Sequence, residues 1–177
     1  PGNWGDRFKA SAMGFLDRRT DQASDGPFAL FFWTGQPHLP ADNYAKRYAD
    51  CQTQFESHRG VNPADVENAA WHFLCVARQA GAAKARAGLL PVGADSRVPM
   101  REIYQMFNGT MTGEQVLAAA GPTLDGRFYA HLYIGLYAEA LGQPELALKH
   151  LREAASDRYE AAGGYMHMVA RVHLKAR

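Results

Sequence analysis

The sequence predicts an all-α protein of stacked helix-turn-helix hairpins, and three observations carry that reading. Apolar residues recur with helical spacing along most of the chain. No run alternates apolar and polar residues for long enough to build a sheet. Small residues stand where two helices must pack closely, most clearly in Phe128–Asp157, which reads as two amphipathic helices around a turn at Leu141-Gly142-Gln143-Pro144. Glycine inside a helix costs roughly 1 kcal/mol against alanine, so Gly135 in the middle of the first helix implies a packing reason. Ala147 and Ala154 provide small positions on the second.

Taken in order, the elements follow from periodicity and punctuation. Trp4, Phe8, Ser11, Ala12, Phe15 and Leu16 form a helix-period stripe over Trp4–Arg19, and the polar stretch up to Pro27 reads as a loop. Phe28–Trp33 is the most apolar run, and Pro37 and Pro40 prevent a helix from continuing through it. Residues 20–43 are the irregular part of the prediction. From Ala41 the pattern resumes, with Tyr44, Tyr48, Cys51 and Phe55 on one face as far as Arg59. Asn62-Pro63 marks a turn, and Ala64–Ala80 is a helix that stops at Gly81. A short alanine-rich helix is expected over Ala82–Leu90, and another over Pro99–Phe107 with proline at its start. Thr112-Gly113-Glu114-Gln115 fits a capping box opening Gly113–Ala120. The central pair then runs from Phe128, and a last helix over Tyr165–Lys175 follows Gly163-Gly164. Eight to ten helices are expected in a single domain spanning residues 1–177.

A chain of 177 residues can bury roughly 70% of its unfolded surface. Nineteen Lys and Arg against eighteen Asp and Glu leave a net charge of +1, so no global field favours nucleic acid or an anionic membrane. No stretch approaches the length of an apolar membrane-spanning helix. The chain begins at Pro1 without a signal pattern, the expectation for a processed end or a piece of something longer. Cys51 and Cys75 both lie in apolar-periodic segments, and the expectation is buried thiols rather than a bridge. That leaves the compartment open.

An aromatic, a small and a bulky apolar residue keep one spacing in Tyr48-x-x-Cys51-x-x-x-Phe55 and in Phe8-x-x-Ser11-x-x-x-Phe15, and Pro144-x-x-Ala147-x-x-x-Leu151 keeps the last two. Here the chain resembles the tetratricopeptide repeat (TPR) family, whose unit is a helical hairpin of about 34 residues. The family's first-helix small residue matches Gly135, its turn glycine Gly142, and its two alanines Ala147 and Ala154. His131 stands where the family often has Trp, Ala138 where it has Tyr, and Tyr159 where it has Pro. Trp71–Ala77 and Phe128–Gly135 also resemble elements of the bacterial NlpI-type TPR lipoproteins over residues 44–175, with 1–43 a degenerate N-terminal part and no lipobox present.

The resemblance implies a non-enzymatic adaptor whose first helices line a concave groove for a peptide or partner protein. On Ala64–Ala80 the groove residues would be Asn68, Trp71, His72, Cys75 and Arg78, and on Phe128–Leu141 they would be Tyr129, Leu132, Tyr133, Leu136 and Glu139. Such aromatic and Arg side chains either anchor peptides or pack against the next hairpin. Catalytic and metal chemistry finds little support. The seven histidines read as scattered surface or groove residues, and neither a nucleophile motif nor a phosphate loop is present. Asp65 and Glu67 read as exposed helix acids, and Lys84, Arg86, Arg97 and Arg101 as a solvated basic face. No cofactor is expected. Two alternatives stand beside the adaptor: an oligomer contact through Phe28–Trp33, and a histidine-based enzyme with His72 and His131 in one pocket.

Overall fold

The computed structural model describes residues 44–175, with side chains from Ala49 onward. The expected Trp4–Arg19 helix, the Phe28–Trp33 run and the Phe8-Ser11-Phe15 repeat lie outside the described residues. Within them the protein is all-α. Eight α-helices and one 3-10 turn follow one another, and no strand occurs among the described residues. None of these helices is long and apolar enough to cross a membrane.

The helices are α1 (Tyr44–His58), α2 (Val66–Ala80), α3 (Ala82–Ala87), α4 (Met100–Asn108), α5 (Gly113–Ala119), α6 (Leu124–Ala140), α7 (Pro144–Ala154) and α8 (Glu160–Lys175), with the 3-10 turn at Asp157–Tyr159. Local chemistry sets most boundaries. Asp65 caps α2 by accepting the Glu67 amide at 3.0 Å. The capping box of α5 is complete, with Gln115 N–H donating to Thr112 at 3.3 Å and Thr112 N–H donating to Gln115 at 2.9 Å. Pro99 is the N-cap of α4 rather than its first helical residue. The α6 helix opens four residues earlier than Phe128, because Thr123 caps it by accepting the Gly126 amide. The last helix is continuous in the chain but leaves helical geometry at Gly164, where φ is +49°.

The pairing of α6 with α7 is the most extensive among the described residues. A Cβ on Gly135 would stand 2.7 Å from Leu151 Cγ and 3.1 Å from Leu151 N, so only glycine lets the helices meet at this separation. Gly142 takes φ of +70° in the connecting turn. Ala147, Leu151 and Ala154 are fully buried on the facing side.

The two cysteines depart from expectation. Cys51 on α1 and Cys75 on α2 form a disulfide, with Cα atoms 6.1 Å apart. The two helices run antiparallel, which also brings the Asn68 amide to the Phe55 carbonyl at 2.8 Å. The residues expected to pack as separate thiols therefore face one another within bonding reach.

Cross-helix contacts also set the order of the long helices. Trp71 meets Tyr133, Phe73 meets Tyr137 and Arg78 meets Glu139, so α2 and α6 run parallel. Phe128 meets His167 and Glu139 meets His173, so α6 and α8 run parallel too. Phe107 of α4 wedges between α2 and α6, with its ring 5.0 Å from both Phe73 and Tyr137. One contiguous core links α1 through α8.

Candidate functional site

A dense polar cluster forms at the N-terminal end of α2. The segment before α4 folds back over that end, where Gly93 N–H donates to the Pro63 carbonyl at 2.8 Å and Val66 N–H donates to Asp95 at 3.3 Å. This delivers Arg97, whose guanidinium donates to Asp95 at 2.7 Å, to Asp65 at 3.0 Å and to Glu67. Three carboxylates suit the positive end of a helix dipole. Burial works against the charge of Asp95, yet the Arg97 side-chain and backbone N–H groups and the Val66 amide hold it below the usual carboxylate range.

Glu67 reaches the other way. Burial raises its pKa, opposed by the Tyr133 hydroxyl, which donates to it at 2.9 Å, and by Arg97. Tyr133 is fully enclosed, with Trp71 edge-on at 6.5 Å and Phe107 at 6.2 Å. Tyr129 stacks on Tyr133 at 6.4 Å with nearly parallel rings and is only partly covered. Burial pushes the Tyr129 phenol up to about 12, and the Glu67 charge adds to the effect. The result is a partly exposed aromatic ring beside Asp65, Glu67 and Arg97, with Asp125 near enough to act on the same phenol.

A second polar level lies toward the other ends of the parallel helices. Glu139 on α6 is paired with Arg78 on α2, and it accepts from His173 Nε2 on α8 at 2.6 Å. One carboxylate therefore ties three successive parallel helices. The Arg78 guanidinium beside this carboxylate also offsets the negative C-terminal end of α2.

The expected groove residues are thus divided among different settings. Trp71, Leu132, Tyr133 and Leu136 belong to the core. Asn68 and His72 are covered by α1, through the Phe55 carbonyl and through Glu56 at 3.3 Å, and Cys75 is in the disulfide. Tyr129, Arg78 and Glu139 retain exposure. The reason is that α2 is enclosed on nearly every side: Val66 and each residue from Asn68 to Val76 is buried. A helix surrounded in this way has no free face.

The histidine expectation changes as well. His72, His150, His167 and His173 are buried rather than scattered over the surface. His72 meets Glu56 of α1, whereas His131 meets His150 of α7 with their Nδ1 atoms 3.1 Å apart. Burial lowers the pKa of His131 to about 4, with His150 adding to the shift, and burial lowers that of His150 too. Glu67 is not an exposed helix acid; Arg97 is exposed, as expected, but stands among carboxylates rather than on a basic face. Sequence reasoning singled out both and missed their meeting, which spans 30 residues. The Asp65-Val66-Glu67 pair at a helix start, where carboxylates favour the dipole, was the available signal. Comparison of the chain with family models, with curated proteins and with solved structures returns no match.

Proposed function

We propose that this chain is a non-enzymatic interaction module of TPR-like stacked hairpins that binds a peptide or partner protein. What supports the architecture is the parallel order of α2, α6 and α8, each separated from the next by shorter or antiparallel elements. Successive first helices of a hairpin solenoid stand in that relation. The expected groove narrows, on this reading, to a smaller recognition surface at the N-terminal ends of α2 and α6.

The observation that carries the reading is Tyr129, a partly covered aromatic ring stacked on a rigid buried one. Such a ring offers contact area at low entropic cost. Around it stand Asp65, Glu67 and Asp125 against Arg97. That balance favours a peptide carrying Lys or Arg over an acidic one, through steering and charge complementarity.

A panel of labelled acidic, neutral and Lys/Arg-rich peptides, titrated at low ionic strength and read by fluorescence anisotropy, tests the proposal. Basic peptides should bind preferentially, and Tyr129→Ala should weaken them roughly tenfold or more with an unchanged circular dichroism spectrum. Tyr133 is unsuitable for this purpose, since truncating it opens the core. Equal binding by wild type and Tyr129→Ala, or no preference for basic peptides, overturns the assignment.

A further inference from the structure

The His131–His150 pair lies outside the surface assigned to recognition. His131 comes from α6 and His150 from α7, the two helices that Gly135 allows to approach closely. Their Nδ1 atoms are 3.1 Å apart, with ring centroids at 5.1 Å. A single shared proton accounts for that distance in the metal-free protein. It is also the separation at which two imidazoles can hold one metal ion. Nitrogens about 2.05 Å from a common zinc ion and 3.1 Å apart subtend roughly 100° at it. That angle falls between the square and tetrahedral values.

We propose that His131 and His150 form a two-imidazole seat, with Glu153 as a recruitable third ligand, for a divalent cation of the zinc, nickel or copper type. Glu153 follows His150 by three residues on α7, so both project from the same side of the helix. Its carboxylate acts electrostatically on both imidazoles. Among the described residues no three His, Cys, Asp or Glu side chains stand together as a preformed metal cluster. Glu153 now accepts from Arg158 at 2.7 Å and from the Tyr159 hydroxyl at 3.5 Å, and both must yield it for the third bond to form.

Two further features bear on the ion. Burial lowers the pKa of both imidazoles, and a metal bonds only to an unprotonated ring nitrogen. Arg127, Lys149 and Arg158 are near enough to oppose added positive charge. The seat therefore selects ions that bond strongly to imidazole, and it excludes magnesium and calcium, which prefer oxygen.

The test uses tag-free, chelator-treated full chain titrated calorimetrically with zinc sulfate, nickel chloride and magnesium chloride. One equivalent of zinc or nickel should bind, and magnesium should not. His131→Gln and His150→Gln should each weaken binding about tenfold or more, and Glu153→Gln by a smaller factor. Zinc should also shift the ring-nitrogen NMR signals of His131 and His150 in the wild type, a readout that requires no variant to fold. Absence of binding at millimolar zinc overturns the proposal. So does full binding by a folded His131→Gln/His150→Gln protein, or ring-nitrogen shifts confined to other histidines.

Discussion

Replacing Gly135 by alanine sets two effects of similar size against each other, and the geometry decides between them. Alanine in a helix interior gains about 1 kcal/mol over glycine from propensity. The new Cβ would stand 2.7 Å from Leu151 Cγ and 3.1 Å from both Leu151 Cδ2 and Leu151 N. Carbon atoms in ordinary contact sit at about 3.5–4.0 Å, so α7 must retreat by several tenths of an ångström. Leu151 is fully buried, and the approach involves its branch point and backbone rather than a flexible tip. Overpacking of that kind costs about 1–3 kcal/mol, and the upper part of the range applies where backbone is involved. The net expectation is a loss of about 1–2 kcal/mol, or roughly 2–8 °C in Tm for a chain of this size. Denaturant and thermal melts of Gly135→Ala measure it. Gly142→Ala is the control, since nothing lies within 4 Å of its Cβ and φ is +70°. Its loss, of about 1 kcal/mol, comes from backbone strain alone. Leu151→Ala costs about 3 kcal/mol by leaving a cavity. Added to Gly135→Ala it should cost about 1 kcal/mol less than the sum, because the alanine methyl occupies part of that space. A Gly135→Ala protein as stable as wild type, with an additive double variant, would refute the close approach.

Three further outcomes are expected. Cys51→Ser should lower unfolding free energy by about 3 kcal/mol in a denaturant titration, since a bridge closing a loop of this size restricts the unfolded chain by about that much; the two cysteines are 24 positions apart. In metal-free protein His131 titrates near 4 when folded and near 6.5 when unfolded. Between those pH values the unfolded state binds the extra proton, so stability is full above about pH 6.5 and falls toward pH 4. Denaturant midpoints from pH 7 to 4.5 should show a shallower decline in His131→Gln. Arg97→Met removes a guanidinium shared by Asp65, Glu67 and Asp95. A loss of about 2 kcal/mol is expected at pH 7, and a smaller one at pH 4, where the Glu67 carboxyl, whose pKa burial raises, takes up a proton.

What the sequence disclosed was local. The Thr112 capping box, the Gly142 turn and the close-packing role of Gly135 each depend on residues within a few positions, and each appears as read. The start of α6 is less legible than its middle, because Gly121-Pro122 looks like a break before Phe128. Thr123 nonetheless supplies the cap, and Gly126 lies inside the first turn. The disulfide was within reach of the same reasoning. An antiparallel α1–α2 hairpin turning near Asn62 and Pro63 places Cys51 opposite Cys75, but judging each cysteine by its own segment concealed the pairing. The polar site was harder to see, since it forms between residues distant in sequence. Tyr133 reaches Glu67 across 66 positions and Arg78 reaches Glu139 across 61. Contacts between parallel helices are of this kind, and no spacing within one helix announces them.

The burial of the expected groove follows from one property of α2 and α6. The TPR resemblance gives the groove those residues of each first helix that lie off its small-residue packing face. That logic holds for a helix with one apolar stripe, but α2 and α6 carry large apolar residues all round, which is the pattern of an enclosed helix. On such a helix, aromatic residues away from the small-residue face pack against another neighbour, as Trp71 does against Tyr133 and Phe73 against Phe107. Polar groups then collect near the ends, where capping and dipole effects favour them. The carboxylates of Asp65, Glu67 and Asp95 and the chain Arg78–Glu139–His173 occupy those two levels. Of the aromatics expected to meet a partner, Tyr129 sits beside the first level while keeping part of its ring uncovered. A partner recognised by aromatic contact and charge together would therefore meet the N-terminal ends of α2 and α6 rather than their middles. This is why Tyr129→Ala, and not a substitution at Trp71 or Tyr133, separates binding from folding.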